Sequence, residues 1–172
     1  MRTLFALPFA ILLTTSVAYP QPPDNQTVVV GPWTIATTYK ADKFDNCTMS
    51  RSAAELGISF VWTKDGQLLL LNSPKWNLDR GKAYTVRLVA GSRSVEAKAL
   101  AESKGVTIPL ADRSLNEKIR TATVLEIMGE GATLRVPLDR SAAAFGRLEV
   151  CFDKNSREGV EANPFVAPNR KP

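Results

Sequence analysis

Cys47 and Cys151 are the residues of this chain whose chemistry is easiest to name, because they are its only two cysteines. Two cysteines in one exported domain pair by default in an oxidising compartment, so a Cys47–Cys151 disulfide is expected. It would close a loop of about 100 residues and contribute at most ~4–5 kcal/mol in the chain-entropy model. A redox pair would instead need cysteines close in sequence and an activated thiolate, and these two are far apart. The chain has no histidine. Ser-His-Asp and Cys-His nucleophile arrangements are therefore excluded, and the commonest metal ligand is missing. A zinc site would have to rely on carboxylates and on the cysteines already assigned to the disulfide.

Two serines and five acids complete the inventory. Ser114 and Ser141 each end an Asp-Arg-Ser triplet. Neither has a neighbouring base other than Lys or Asp, and no Gly-rich elbow precedes them. Helix capping accounts for both. Asp42, Asp45, Glu55, Asp65 and Asp79 are the acids from which a glycosidase pair could be drawn, but nothing in their spacing selects two of them. The inventory yields no catalytic residue, no cofactor and no metal. A non-enzymatic binding protein is the leading reading, and a carboxylate-based hydrolase acting on cell-wall glycans is the enzymatic alternative.

Contact chemistry is the other candidate. Lys and Arg number 22 against 17 acids, a net charge of +5. The excess is scattered: Arg80, Lys82, Arg87, Arg93, Lys98 and Lys104 recur among acids. No stacking aromatics interleave them as in a nucleic-acid module, so nucleic acid is discounted as a partner. Trp33 and Trp62 sit in strand-like runs and are expected in the core. Trp76 lies in the turn-like Ser73-Pro74-Lys75-Trp76-Asn77. Together with Arg87, Arg93 and Lys98, it forms the expected contact surface for a protein or envelope component.

The elements that must position these residues read as strands. Val28–Val30 and Trp33–Thr38 are strand-like, Lys40–Asn46 reads as polar and turn-like, and Cys47–Ser52 alternates. Three hairpin signals follow, centred on Asp65-Gly66, Gly91-Ser92 and Gly129-Glu130-Gly131. Helical pattern is confined to two short segments. One opens with Ser114 as N-cap and Glu117 at N3, and the other runs from Ser141 to about Leu148. The expected fold is mainly β: an antiparallel β-sandwich or partly open barrel of about eight to ten strands, with two short helices and one disulfide.

The termini read differently. Arg2, the apolar run Leu4–Leu13 and the small residues Ser16-Val17-Ala18 form a cleavable export signal, residues 1–18. This places the mature protein in the periplasm or outside the cell. A Pro-rich leader spans 19–26, a single β-rich domain 27–153, and a disordered tail is expected over 154–172. No segment after the signal has the ~18 apolar residues of a membrane helix.

Trp33-Thr34-Ile35, Cys47-Thr48-Met49-Ser50, Leu78-Asp79-Arg80-Gly81-Lys82, Ile108-Pro109-Leu110, Val136-Pro137-Leu138 and Ser141-Ala142-Ala143-Ala144-Phe145 follow an order that resembles the bacterial invasion-associated locus B family of exported proteins. The likeness is one of pattern and spans most of residues 33–150. It implies an α-proteobacterial, periplasmic or surface-associated β protein without known catalysis. The family pattern also places a cysteine just after the first Trp strand and a second, central cysteine pair. Here Ala36, Thr37 and Gly105 stand in those places, and Cys151 is left as the partner of Cys47.

Overall fold

The computed structural model describes residues 27–41 and 43–158. The segments read as an export signal (1–18) and a Pro-rich leader (19–26), Asp42 and residues 159–172 lie outside the described residues. Among the described residues ten strands are present: β1 Val28–Val30, β2 Trp33–Lys40, β3 Lys43–Ala53, β4 Leu56–Thr63, β5 Gly66–Asn72, β6 Ala83–Ala90, β7 Arg93–Glu102, β8 Gly105–Pro109, β9 Val124–Met128 and β10 Thr133–Pro137. Helix α1 (Arg113–Thr121) follows β8 and helix α2 (Ser141–Glu158) follows β10.

All strands join one antiparallel sheet in the order β1-β2-β3-β4-β5-β8-β7-β6-β9-β10, and the sheet does not close into a barrel. Mainly β structure, two helices and one disulfide match the sequence expectation. The sheet nevertheless curls back on itself. The Trp33 indole N–H donates to the carbonyl of Asp139 at 2.9 Å, and Arg51 Nη1 donates to the carbonyl of Pro137 at 3.3 Å. Side chains of β2 and β3 thus reach the segment that leaves β10, at the opposite end of the strand order.

The alternation along each strand explains the layering, because successive side chains point to opposite faces. On β3, Cys47 and Met49 are fully buried; on β4, Ile58, Phe60 and Trp62 are buried; on β5, Leu69 and Leu71. Trp33 and Trp62 are both core residues, as expected. Helix α2 packs on β2, β3 and β4, while α1 packs on β6 and β7. Phe145 of α2 meets Phe60 edge-on at 4.9 Å, and Phe152 meets Trp62 at 6.0 Å and Phe44 at 5.7 Å. The disulfide joins Cys47 to Cys151, pinning α2 to β3.

Four local readings are corrected, and one hairpin carried no sequence signal. First, Lys40 and Lys43–Asn46 are strand rather than turn. The β2–β3 connection is tight, Lys40 pairs with Lys43, and Ala41 adopts φ +50°. Second, β3 and β4 are joined by Ala54-Glu55, with Ala54 at φ +52°. No glycine marks either turn, so neither hairpin carries the usual residue signal for a left-handed backbone. Third, in the β4–β5 hairpin Thr63 pairs with Gly66, so the two-residue loop is Lys64-Asp65 and Gly66 already belongs to the strand. Fourth, the N-cap of α1 is Asp112, whose carboxylate accepts from the Leu115 N–H at 2.7 Å; Ser114 sits inside the first turn. The Ser141 hydroxyl does not cap α2 either, being buried without a hydrogen-bond partner among the described residues. Fifth, α2 is long. It runs 18 residues, through Lys154–Glu158, which the sequence placed in the tail. Asn155 fastens that last turn: it is buried, accepts from Tyr39 Oη at 2.9 Å and donates to the carbonyl of Cys151 at 2.7 Å.

Candidate functional site

The loop between β5 and β6, Ser73–Lys82, crosses from one side of the β8–β7–β6 meander to the other. It is bound along its length by backbone hydrogen bonds. Ser73 N–H donates to the carbonyl of Lys104 at 2.9 Å, Leu78 N–H to Ser103 at 3.1 Å, and Gly81 N–H to Ala101 at 2.8 Å. This holds Trp76 and Leu78, both half-buried, beside the inner face of the sheet. Between them and the strands lies a cavity of about 570 Å³. Its volume falls within the roughly 300–1,000 Å³ of small-molecule sites.

The cavity walls are chiefly carbon. Inward-facing Leu71, Ile108, Ala99, Val86, Ile127 and Leu134 form the wall. Tyr84 and Lys82 stand at the β6 side, and the β9–β10 loop, Gly129–Ala132, contributes Glu130 to the rim. Lys82 Nζ lies 5.1 Å over the Tyr84 ring and pairs with Asp79 at 3.8 Å. Both members of that pair are exposed, so it adds little stability.

A second, larger cleft of about 940 Å³ lies beside α1 and α2 and has charged walls. Four of its charges are engaged in pairs. Arg120 donates to Glu149 at 2.9 Å while its guanidinium lies 5.4 Å over the Trp62 ring, and Arg113 pairs with Glu117 at 3.2 Å. Of the acids considered for a glycosidase pair, Asp65 lines this cleft and Asp45, Glu55 and Asp79 do not. Asp42 lies outside the described residues. Glu55 pairs instead with Lys75, and Asp45 accepts from Asn46 Nδ2 at 2.6 Å.

The structure separates the residues expected to form one contact surface. Trp76 lines the apolar cavity. Arg87 and Lys98 are exposed on the outer face of β6 and β7, where Arg87 lies opposite Glu96 and Lys98 donates to Thr85 Oγ1. Arg93 is taken up structurally by the α1 N-cap, Asp112. Hydrogen bonding from Arg93 holds the Asp112 carboxyl below the usual carboxylate range, and the same bond raises the Arg93 pKa. Asp139 is likewise lowered, chiefly by the hydrogen bond from Arg51 at 2.6 Å. Sequence reading singled out Trp76 but not its cavity. The inward positions of β6–β10 look like ordinary alternating strands, and only the curl of the sheet and the docked loop turn them into a wall.

Among the described residues no helix is long and apolar enough to cross a membrane, and no group of His, Cys, Asp and Glu is placed to hold a metal ion. Comparison with known proteins gave no matching family model, no matching curated protein and no matching solved structure.

Proposed function

We propose that this chain is a non-catalytic binding module of the bacterial cell envelope, exported by the signal at residues 1–18, and that the Trp76 cavity is its binding site. The observation behind the second half is the cavity itself: an open, mainly apolar space bounded by a hydrogen-bonded loop, with Lys82 and Glu130 at its rim. Concave apolar sites with few polar groups are the usual form of small-ligand sites. The disulfide suits an oxidising compartment. The resemblance to the invasion-associated locus B family supports the same placement. The outer-face residues Arg87 and Lys98 are a less favoured contact surface, because they lie on an exposed strand face and line no cavity: Arg87 stands opposite Glu96, and Lys98 donates to Thr85.

Titration of the purified mature chain with a naphthyl dye tests the site. Dye fluorescence should rise and saturate, and Ala99→Leu, which fills the wall, should weaken binding at least tenfold. Trp76→Ala should weaken it as well. Unchanged dye affinity in both variants would move the site elsewhere. Export is checked separately by N-terminal sequencing of the periplasmic protein, which should begin at Tyr19.

A further inference from the structure

Resting on that reading of the cavity, we propose that its ligand is a straight-chain carboxylic acid, with the alkyl chain lying across the strands and the carboxylate held by Lys82. The shape of the wall supports the chain. Leu71, Ile108, Ala99, Val86, Ile127 and Leu134 come from β5, β8, β7, β6, β9 and β10, six strands that are consecutive neighbours in the sheet. Neighbouring strands lie ~4.8 Å apart, so such a row extends over roughly 24 Å along the curve of the sheet. A compact ring would cover only part of that row. A chain one methylene wide can follow it from end to end, and Ala99 keeps the middle of the wall shallow.

Charge supports the headgroup. Lys82 is the cation on the lining, seated at the rim by the Tyr84 ring at 5.1 Å and by a loose 3.8 Å pair with Asp79. A ligand carboxylate can replace Asp79 at little cost, because that pair is exposed to water. Glu130 also stands on the rim. An amine headgroup would therefore seek Glu130 where an acid seeks Lys82, and the two assignments can be told apart.

The full mature chain is titrated with dodecanoate, decanoate, methyl dodecanoate and dodecylamine, following tryptophan fluorescence and calorimetry. Dodecanoate is expected to bind one to one. Removing two methylenes should weaken binding about fifteenfold, since each buried methylene contributes ~0.8 kcal/mol. The methyl ester should bind about tenfold more weakly, and Lys82→Met should remove the preference for the acid over the ester. Equal affinity for acid and ester, or tighter binding of the amine, overturns the headgroup assignment and leaves the cavity as the site. Absence of chain-length dependence overturns the chain. If dodecanoate fails to bind where the naphthyl dye binds, the ligand class is wrong. If neither binds, the cavity reading falls as well.

Discussion

The region around α2 and the region around Trp76 use the same materials, apolar strand faces and aromatic rings, to opposite ends. Around α2 the inner face of β2–β4 is covered completely. Trp33, Cys47, Met49 and Phe60 are buried, the disulfide fixes the helix, and Phe145 fills the centre. The inner face of β5–β10 is covered by α1 at one end, but around Trp76 only a ten-residue loop covers it, and a cavity remains. The helix supplies a continuous apolar stripe that matches the curvature of the strands. The loop supplies two large side chains, Trp76 and Leu78, and spends its backbone on hydrogen bonds to the β7–β8 turn. Stability is therefore expected to reside in the first region and binding in the second.

The strongest way to break the comparison is to release α2. The Cys47→Ala, Cys151→Ala pair of substitutions opens a loop of 104 residues in sequence separation and should cost about 4–5 kcal/mol in urea unfolding. Next come two aromatic truncations. Phe145→Ala removes a ring that is 4 % exposed and should cost about 3–5 kcal/mol. Trp76→Ala, at a half-buried loop position, should cost only about 1 kcal/mol while weakening dye binding. Equal costs for the two would make Trp76 a core support and the cavity a packing gap. An effect of comparable size comes from the edge of the cavity region. At Gly105 an added Cβ would stand 2.8 Å from the carbonyl oxygen of Leu71, a rigid backbone atom. Gly105→Ala should cost about 1–3 kcal/mol through overpacking, read as a lower urea midpoint.

The region around α2 was the more legible in the sequence. Cys47, Trp33 and Trp62 announce themselves by residue type and strand alternation, and all three are core residues. The length of α2 was hidden. Its last turn, Lys154-Asn155-Ser156-Arg157, is polar and lacks an apolar stripe, so the composition resembles a tail. What orders it is tertiary, the Tyr39–Asn155 hydrogen bond across 116 residues. The hairpins at Ala41 and Ala54 were hidden for a related reason: the paired strands enforce left-handed alanines that local preference disfavours. The cavity was not legible, because a cavity is a relation between strands distant in sequence. Its one readable token was a tryptophan in a loop.

The finest test of the comparison concerns the entry into α1, where sequence and structure choose different capping residues. Ser114 and Glu117 have capping-box spacing, yet Asp112 accepts the Leu115 N–H and also pairs with Arg93 of β7. The carboxylate thereby serves two partners, one on the helix and one on the sheet, which a serine at 114 could not reach together. Asp112→Ala should lower the urea midpoint at neutral pH, whereas Ser114→Ala, on an exposed first-turn position, should shift stability by less than about 0.5 kcal/mol. The pH dependence sharpens the assignment. The folded-state pKa of Asp112 lies below its ordinary value of 3.8, as does that of Asp139. The unfolded chain therefore binds protons first on acidification. The stability these groups contribute is present above about pH 3.8 and is lost as pH falls through their lower folded values. A variant carrying Asp112→Asn and Asp139→Asn should be less stable than the parent at pH 7 and should converge with it at low pH. Parallel stability curves down to pH 2 would show that neither carboxylate is tied to its arginine, and a loss on Ser114→Ala equal to that on Asp112→Ala would return the cap to the serine.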